Sequence, residues 1–157
     1  KSMSPWLLAK MLQFLDLKPS DNVLSLATGY GYSCALMSSL ANFVVAVETH
    51  DLAQEAQVRL IEGGYDNILV REGNICEGAE EEGPYDAVLI EGAVEYINEE
   101  IINQLKLEGR IIAVFKEKIL GQCRLGIKTK SGVQWRNLFE ANCVLLNEFK
   151  REKEFTL

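Results

Sequence analysis

The sequence is poor in residues that bind metals or form disulfides. It has one histidine, His50, and four cysteines that stand far apart. Zinc sites need cysteine and histidine clustered at short spacing, so we predict no metal site. Isolated thiols in a chain of this length are typical of reduced, buried residues in a cytoplasmic protein, which is the location we expect. The cysteines are Cys34, Cys76, Cys123 and Cys143.

The chain also lacks long apolar runs and an excess of positive charge. No stretch approaches the roughly 20 apolar residues of a membrane helix, so we expect no membrane association. Acidic residues number 23 against 16 basic ones, and a net charge of −7 disfavours nucleic acid as a partner. We expect a single domain over residues 1–157, as a monomer or weak dimer. Because the chain opens on Lys1 rather than Met, we also expect that an N-terminal portion is missing.

Strand-like apolar segments alternate with amphipathic helical segments along the chain. The predicted strands cover 22–27, 43–48, 67–70, 85–90 and 110–115. The predicted helices begin at Pro5, near Ser33, after a cap at Asp51 and near Ile97. Two extended segments near 123–127 and 133–139 flank a turn and predict a hairpin. The order predicts an α/β fold: a mainly parallel sheet flanked by helices, with a C-terminal antiparallel hairpin.

A glycine loop follows the first predicted strand and contains Gly29 and Gly31. Glu48 ends the second predicted strand. In a parallel sheet the ligand lies beyond the carboxyl ends of the strands, where glycines let it approach the backbone. A carboxylate at the end of the second strand can accept hydrogen bonds from ribose hydroxyls. Together these features favour an adenosine-containing cofactor over a purely structural turn.

The glycine loop differs from the fingerprint of nicotinamide enzymes. That fingerprint has a third small glycine, which lets the helix pack closely on the strand, but Cys34 stands at this position. S-adenosylmethionine fits better because it has no pyrophosphate that needs a helix terminus. The missing glycine and the terminal hairpin therefore disfavour a nicotinamide-dependent oxidoreductase.

Seven segments in order resemble the protein-L-isoaspartate O-methyltransferases, a family of Rossmann-like S-adenosylmethionine-dependent methyltransferases. They are PWLLAKM (5–11), VLSLATGYGY (23–32), VE (47–48), GYDNI (64–68), GNICEG (73–78), YDAVLI (85–90) and QLKLEGR (104–110). The run Gly92-Ala93-Val94 is similar to a bacterial branch of the family. The resemblance implies that the chain transfers a methyl group to a carboxylate of a damaged protein or peptide.

The resemblance also implies a set of cofactor-binding residues, four of which depart from the family pattern. Ser25 stands where the family usually has an acid, and Ala27 where it has glycine, so we expect weaker cofactor binding than in typical relatives. Asn74 replaces an aspartate but keeps an acceptor oxygen. Glu91 begins a segment, 91–93, that is usually Thr-Ala-Ala. The set is Ser25, Ala27, Thr28, Gly29, Tyr30, Gly31, Glu48, Thr49, Asn74, Ile75 and Glu91.

The sequence assigns no catalytic residue. A carboxylate acceptor is already ionised at neutral pH, so its methylation needs positioning rather than a general base. By resemblance, a hydroxyl residue should stand two positions before the helix proline to hold the acceptor, but Met3 is there. Ser2 and Ser4 flank it, and Ser4 is expected to cap the helix instead. One alternative therefore stays open, a catalytically weak or inactive relative that binds an adenosyl ligand or a protein partner.

Four other features are interpreted as structural. His50 is expected at the surface, and the acidic run 80–82 is expected to form a solvated loop. For Trp6 there are two interpretations, contact with the cofactor side or simple packing, and we expect packing. Trp135 is expected in the core.

Overall fold

The computed structural model describes residues 3–151, in which helices and strands alternate as the sequence predicts. The helices are α1 Pro5–Leu15, α2 Tyr32–Leu40, α3 His50–Glu62 and α4 Glu99–Asn103. The strands are β1 Asn22–Leu26, β2 Phe43–Glu48, β3 Ile68–Glu72, β4 Tyr85–Val94, β5 Leu105–Glu117, β6 Leu120–Thr129 and β7 Gly132–Glu140. Short 3-10 turns occur at Ile75–Glu77, Glu80–Glu82 and Asn147–Phe149. The predicted α/β fold is confirmed.

The strands form a seven-stranded sheet in the order β3-β2-β1-β4-β5-β6-β7. Strands β1 to β5 pair in parallel, whereas β6 and β7 pair antiparallel and form the predicted C-terminal hairpin. The chain runs outward from β1 to β3 and then returns to the other side of β1 with β4. A crevice therefore opens at the carboxyl ends of β1 and β4, which is where such sheets bind ligands.

Both faces of the parallel part of the sheet are buried. Val44 of β2 packs in a cluster with residues of α1, α2 and α3. Its neighbour Val45 packs in a second cluster on the other face, with Ile75, Ile101 of α4 and Phe149. Burial on both faces explains why β2 is an uninterrupted apolar run rather than an alternating one.

Helix α1 begins as the sequence predicts. The backbone N–H of Leu7 donates to Ser4 Oγ at 3.2 Å, so Ser4 is the N-cap residue, and Pro5 occupies the first turn. The helix is followed by Asp16 in a left-handed conformation with φ of 51°. Because α1 buries Met11 and Leu15 against the sheet, it fixes the position of the residues that precede it.

The third helix begins earlier than predicted. Thr49 is its N-cap residue, so Asp51 lies in the first turn, where the helix dipole favours an acidic side chain, and is not the cap. His50 is exposed, and its Nδ1 lies 2.7 Å from a carboxylate oxygen of Glu72 at the end of β3. The predicted surface position of His50 is confirmed.

Strand β4 extends beyond its predicted end, where it pairs with β5 on one side and with a distant segment on the other. The N–H of Ala93 donates to the carbonyl of Val144 at 2.8 Å, and the N–H of Leu146 donates to the carbonyl of Ala93 at 2.9 Å. The partner is the segment 141–151, which follows β7 and is called the C-terminal segment below. Because the two segments lie far apart in the sequence, no local sequence pattern predicts that they pair.

The predictions for both tryptophans are wrong. Trp6 is 68% exposed on α1, and its ring lies 4.9 Å from Lys10 Nζ. Trp135 is 37% exposed because it lies on the edge strand β7, although its ring packs edge-on against Phe115 at a centroid distance of 4.9 Å. A large apolar side chain on an edge strand has neighbours on one side only.

Two further predictions are correct only in part. Cys34 and Cys123 are buried free thiols, but Cys76 and Cys143 are free thiols that are only half-buried. The acidic run 80–82 forms a 3-10 turn, and Glu81 and Glu82 pair with Arg71 instead of being simply solvated.

None of the helices within residues 3–151 has the length and apolar character needed to cross a bilayer. In the same range, no group of three or more His, Cys, Asp or Glu side chains is arranged to hold a metal ion.

Candidate active site

A cavity of about 340 Å³ opens where β1, β2 and β4 end. Its lining includes six predicted site residues: Ala27, Gly29, Tyr30, Glu48, Ile75 and Glu91. The other predicted residues do not line it: Ser25, Thr28, Gly31, Thr49 and Asn74. The remaining lining residues are Met3, Ser4, Leu52, Gly92, Asn142, Cys143, Val144, Leu146 and Glu148. The structure thus brings together about half of the predicted site and adds the C-terminal segment to it.

The loop between β1 and α2 forms one wall of the cavity. Three of its residues, Ala27, Gly29 and Gly31, have positive φ angles of 61°, 62° and 91°. A side chain built at Gly29 would meet no atom of residues 3–151 within 4 Å, so within this range the backbone of Gly29 faces open space. A ligand can therefore approach the peptide groups of the loop closely.

Glu48 holds this loop in place from the end of β2. It is only 5% exposed, and its two carboxylate oxygens accept hydrogen bonds from the backbone N–H groups of Gly29 and Thr49, each at 2.8 Å. Each oxygen keeps a second lone pair that can accept from a hydroxyl group. Glu48 can therefore position the loop and bind a ligand at the same time, and Thr49 contributes through its backbone.

Ser25 and Thr28 are buried and do not line the cavity. Thr28 Oγ1 lies 2.8 Å from Cys34 Sγ and 3.3 Å from Ser33 Oγ, which directs the threonine side chain toward α2. Ser25 is completely buried on β1, and its hydroxyl oxygen has no hydrogen-bond partner within residues 3–151. Burial raises the pKa of the Cys34 thiol to about 11, so this cysteine stays protonated at neutral pH.

The turn after β3 supplies Asn74 and Ile75. Asn74 Oδ1 accepts from the N–H of Cys76 at 3.1 Å and thereby caps the 3-10 turn, so the acceptor oxygen expected from the sequence is already engaged by the protein. Ile75 is 2% exposed and supplies an apolar surface to the cavity. The exposed Asn74 side chain lies beside the cavity, and only its neighbour reaches the lining.

Glu91 is the one acidic lining residue on β4. Burial raises the pKa of its carboxyl group to about 7; a hydrogen bond from Ser33 acts in the opposite direction, and the charge of Glu48 adds to the rise. Its Oε1 is shielded from solvent and has no hydrogen-bond partner among residues 3–151. A buried carboxyl oxygen without a partner is uncommon and needs an explanation.

The C-terminal segment closes one side of the cavity, although none of the residues predicted for the site lies in it. Its Phe149 is fully buried, and a side chain built at Gly92 would lie 2.5 Å from a Leu146 carbon, so the strand and the segment touch closely. The glycine at 92 is the one signal in the sequence for this contact. The signal cannot be interpreted without the fold, because it does not say which segment approaches.

Met3 lies at the cavity, where a family member would have its hydroxyl residue. It is 9% exposed and lines the cavity beside Ser4, whose hydroxyl is engaged as the cap of α1. The expectation that Ser4 serves as a cap is confirmed, and Ser2 lies outside the described residues. Within residues 3–151, the position that should hold the acceptor is therefore occupied by a thioether.

Ala27→Gly is expected to raise the free energy of unfolding by about 1 kcal/mol, because alanine at φ of 61° is strained whereas glycine is not. Urea denaturation measures this effect. The matched control is Ala35→Gly in the middle of α2, which should lower stability by about 1 kcal/mol because glycine disfavours a helix. Equal losses in both variants would contradict the strain at Ala27.

A match to a known protein family identifies the family of this chain. The family model of protein-L-isoaspartate(D-aspartate) O-methyltransferase matches residues 1–142. The chain belongs to the protein-L-isoaspartate O-methyltransferase family. Protein-L-isoaspartate O-methyltransferase 2 of Polaromonas sp. is 39% identical over 109 residues, which are 69% of this chain and 52% of that protein. The chain spans about half the length of the curated relatives of this family that it matches.

Solved structures share the fold. A protein-L-isoaspartate O-methyltransferase superposes with a TM-score of 0.88 at 24% identity, over 95% of this chain and 49% of the other. A Plasmodium falciparum protein proposed to be a member of the family, solved in complex with S-adenosyl-L-homocysteine, has a TM-score of 0.75 at 22% identity. That match covers 92% of this chain and 75% of the other. The predicted Rossmann-like methyltransferase fold and the predicted family are both confirmed.

Proposed function

We propose that this chain binds S-adenosylmethionine in the cavity and transfers its methyl group to a carboxylate of a damaged protein or peptide. The observation that carries the proposal is the arrangement of Glu48 and Gly29. A buried carboxylate holds an open glycine loop at the end of β2 and keeps free lone pairs for ribose hydroxyls. Membership of the family and the S-adenosyl-L-homocysteine in the Plasmodium falciparum structure support the choice of cofactor.

The predicted site residues have distinct roles in this proposal. Glu48 accepts hydrogen bonds from the ribose hydroxyls. Gly29 and Tyr30 border the ribose and the aminoacyl part of the cofactor. Ile75 packs on the adenine beside Asn74. Ala27 lines the cavity and shapes the glycine loop. Four residues act from behind the lining by shaping the loops or the helix start. They are Ser25, Thr28, Gly31 and Thr49.

The proposed reaction is an in-line displacement. A carboxylate oxygen of the acceptor forms a bond to the methyl carbon while the bond from that carbon to sulfur breaks. The electron pair goes to sulfur, which gives S-adenosylhomocysteine and a methyl ester. The acceptor is ionised at neutral pH, so the protein has to orient the two reactants and exclude water rather than remove a proton. The acidic lining of the cavity also suits the positively charged sulfonium of the cofactor.

The remaining sequence-based expectations stay predictions. They are a single domain over residues 1–157, a cytoplasmic location, a monomer or weak dimer, a protein or peptide substrate, and no nucleic-acid partner. The net charge of −7 supports the last of these.

A second candidate function is favoured by Met3 and Ser25. In this case the chain binds an adenosyl ligand but transfers methyl groups weakly or not at all, because Met3 cannot donate a hydrogen bond to the acceptor. The two candidates give the same binding result and differ in turnover. Radiolabelled methyl transfer to an isoaspartyl peptide separates them.

Glu48→Ala is expected to weaken S-adenosylhomocysteine binding by about 1.5 to 3 kcal/mol, or roughly 10- to 150-fold, because the ribose loses its charged acceptor. Calorimetric titration measures the change. The matched control is Glu72→Ala at the end of the neighbouring strand β3, where the carboxylate is 53% exposed and outside the cavity lining. The control should bind as the unaltered protein does. Unchanged affinity in folded Glu48→Ala would overturn the assignment of the ribose site.

A further inference from the structure

The charged side chains that line the cavity are all acidic. They are Glu48, Glu91 and Glu148, and the lining contains no lysine, arginine or histidine within the described part of the chain. A cavity lined by carboxylates with no counter-charge favours a ligand that brings a positive charge with it. This sign of charge disfavours a phosphate-bearing ligand at the same place.

Glu91 differs from Glu48 in what satisfies its oxygens. Both oxygens of Glu48 accept backbone N–H groups. Glu91 has one carboxyl oxygen, Oε1, that is shielded from solvent and accepts from no group in residues 3–151. Leaving such a group unpaired costs folding free energy. A ligand that donates a hydrogen bond to Glu91 Oε1 when it binds explains why this oxygen has no partner in the protein.

The order of the strands indicates which part of the cofactor reaches Glu91. The turn with Ile75 follows β3, Glu48 ends β2, and Glu91 lies on β4, while the sheet order is β3-β2-β1-β4. With adenine at the β3 end and ribose at β2, the remaining chain of the cofactor extends across the glycine loop toward β4. Leu26 pairs with Ile90, which brings Glu91 beside the start of that loop.

We infer that Glu91 binds the α-ammonium group at the aminoacyl end of S-adenosylmethionine. The inference rests on the proposed function, because it takes the adenosyl part as bound at Glu48. The ammonium donates a charge-assisted hydrogen bond to the free carboxyl oxygen and supplies the missing counter-charge. Glu91 is therefore a cofactor-binding residue for the part of the ligand that the ribose site does not reach.

The test compares two ligands that differ in the aminoacyl end. S-adenosylhomocysteine carries the ammonium, whereas 5′-methylthioadenosine has the same adenosine and thioether but no aminoacyl group. Glu91→Gln keeps the shape of the side chain and removes its charge. We expect it to weaken S-adenosylhomocysteine binding by about 10- to 100-fold and to change methylthioadenosine binding less than about twofold. Glu72→Gln, at the exposed end of β3 and outside the cavity lining, is the control and should change neither.

Each outcome of this titration is informative. If unaltered protein binds neither ligand, the proposed function fails and the inference fails with it. If it binds both but Glu91→Gln binds S-adenosylhomocysteine normally, or loses affinity for both ligands equally, the inference alone is overturned. Glu48→Ala should weaken both ligands, which distinguishes the ribose site from the ammonium site.

A second measurement tests the inference without a variant. The titratable groups facing Glu91 are Glu48 on β2 and Cys34 on α2, and Glu148 also lines the cavity. With a pKa of about 7, Glu91 is mostly protonated at pH 6 and must lose its proton to pair with an ammonium. Titrations in two buffers of different ionisation enthalpy should show release of about one proton with S-adenosylhomocysteine and none with methylthioadenosine. Equal proton release with both ligands would contradict the inference.

Discussion

Met3→Ser is expected to raise methyl transfer to an isoaspartyl peptide by about 100-fold over the weak activity of the unaltered chain. Met3 lines the cavity, and its thioether cannot donate a hydrogen bond to the acceptor carboxylate, whereas a serine hydroxyl can. A well-placed donor to a reacting anion is worth about 100- to 1000-fold in rate, and the carboxylate needs less help than an oxyanion intermediate. Transfer of a radiolabelled methyl group measures the rate.

The control for this variant is Met3→Leu. It keeps an apolar side chain at a position that is 9% exposed and adds no donor, so its rate should match that of the unaltered chain. Calorimetric titration should give the same cofactor affinity for all three proteins. Rapid turnover by the unaltered chain would show that another group holds the acceptor, and the role assigned to position 3 would be wrong.

Arg110→Met is expected to lower the free energy of unfolding by about 3 kcal/mol, because it removes the only charged partner that the buried carboxylate of Asp21 has within residues 3–151 and leaves it the backbone N–H of Lys18. Arg110 Nη2 lies 2.5 Å from Asp21 Oδ2, and the Asp21 side chain is only 8% exposed. Arg110 Nε also donates to the carbonyl of Leu15 at 2.9 Å, so one side chain joins β5 to the end of α1. Urea denaturation of the two proteins measures the difference.

Lys18→Met serves as the control for Arg110→Met. Lys18 pairs with Asp16 at 2.6 Å, but both side chains are more than half exposed, and such pairs contribute less than about 1 kcal/mol. The double variant Arg110→Met with Asp21→Asn should recover part of the lost stability, because it removes the unpaired charge. A loss in Arg110→Met no larger than in Lys18→Met would mean that the pair contributes little.

The sequence determined the fold class and the central part of the cavity. Apolar runs such as 43–47 identify strands that are buried on both faces, because successive side chains point to opposite faces of the sheet and all of them must pack. Gly29 and Glu48 could be assigned to one site because parallel strands end at the same edge. The cap at Ser4 was predictable for a similar reason, since it depends on the first turn of α1 alone.

Only the tertiary structure decided what surrounds that central part. The C-terminal segment reaches the cavity by pairing with Ala93, and the exposure of Trp135 follows from its place on the edge strand. The sequence placed Glu91 in the site, but its unpaired oxygen depends on every group packed around β4. Local patterns report the conformation of a few neighbouring residues, whereas burial, pairing and pKa depend on residues far apart in the chain. For that reason the glycine loop could be recognised from the sequence, while the charge balance of the cavity could be determined only from the folded structure.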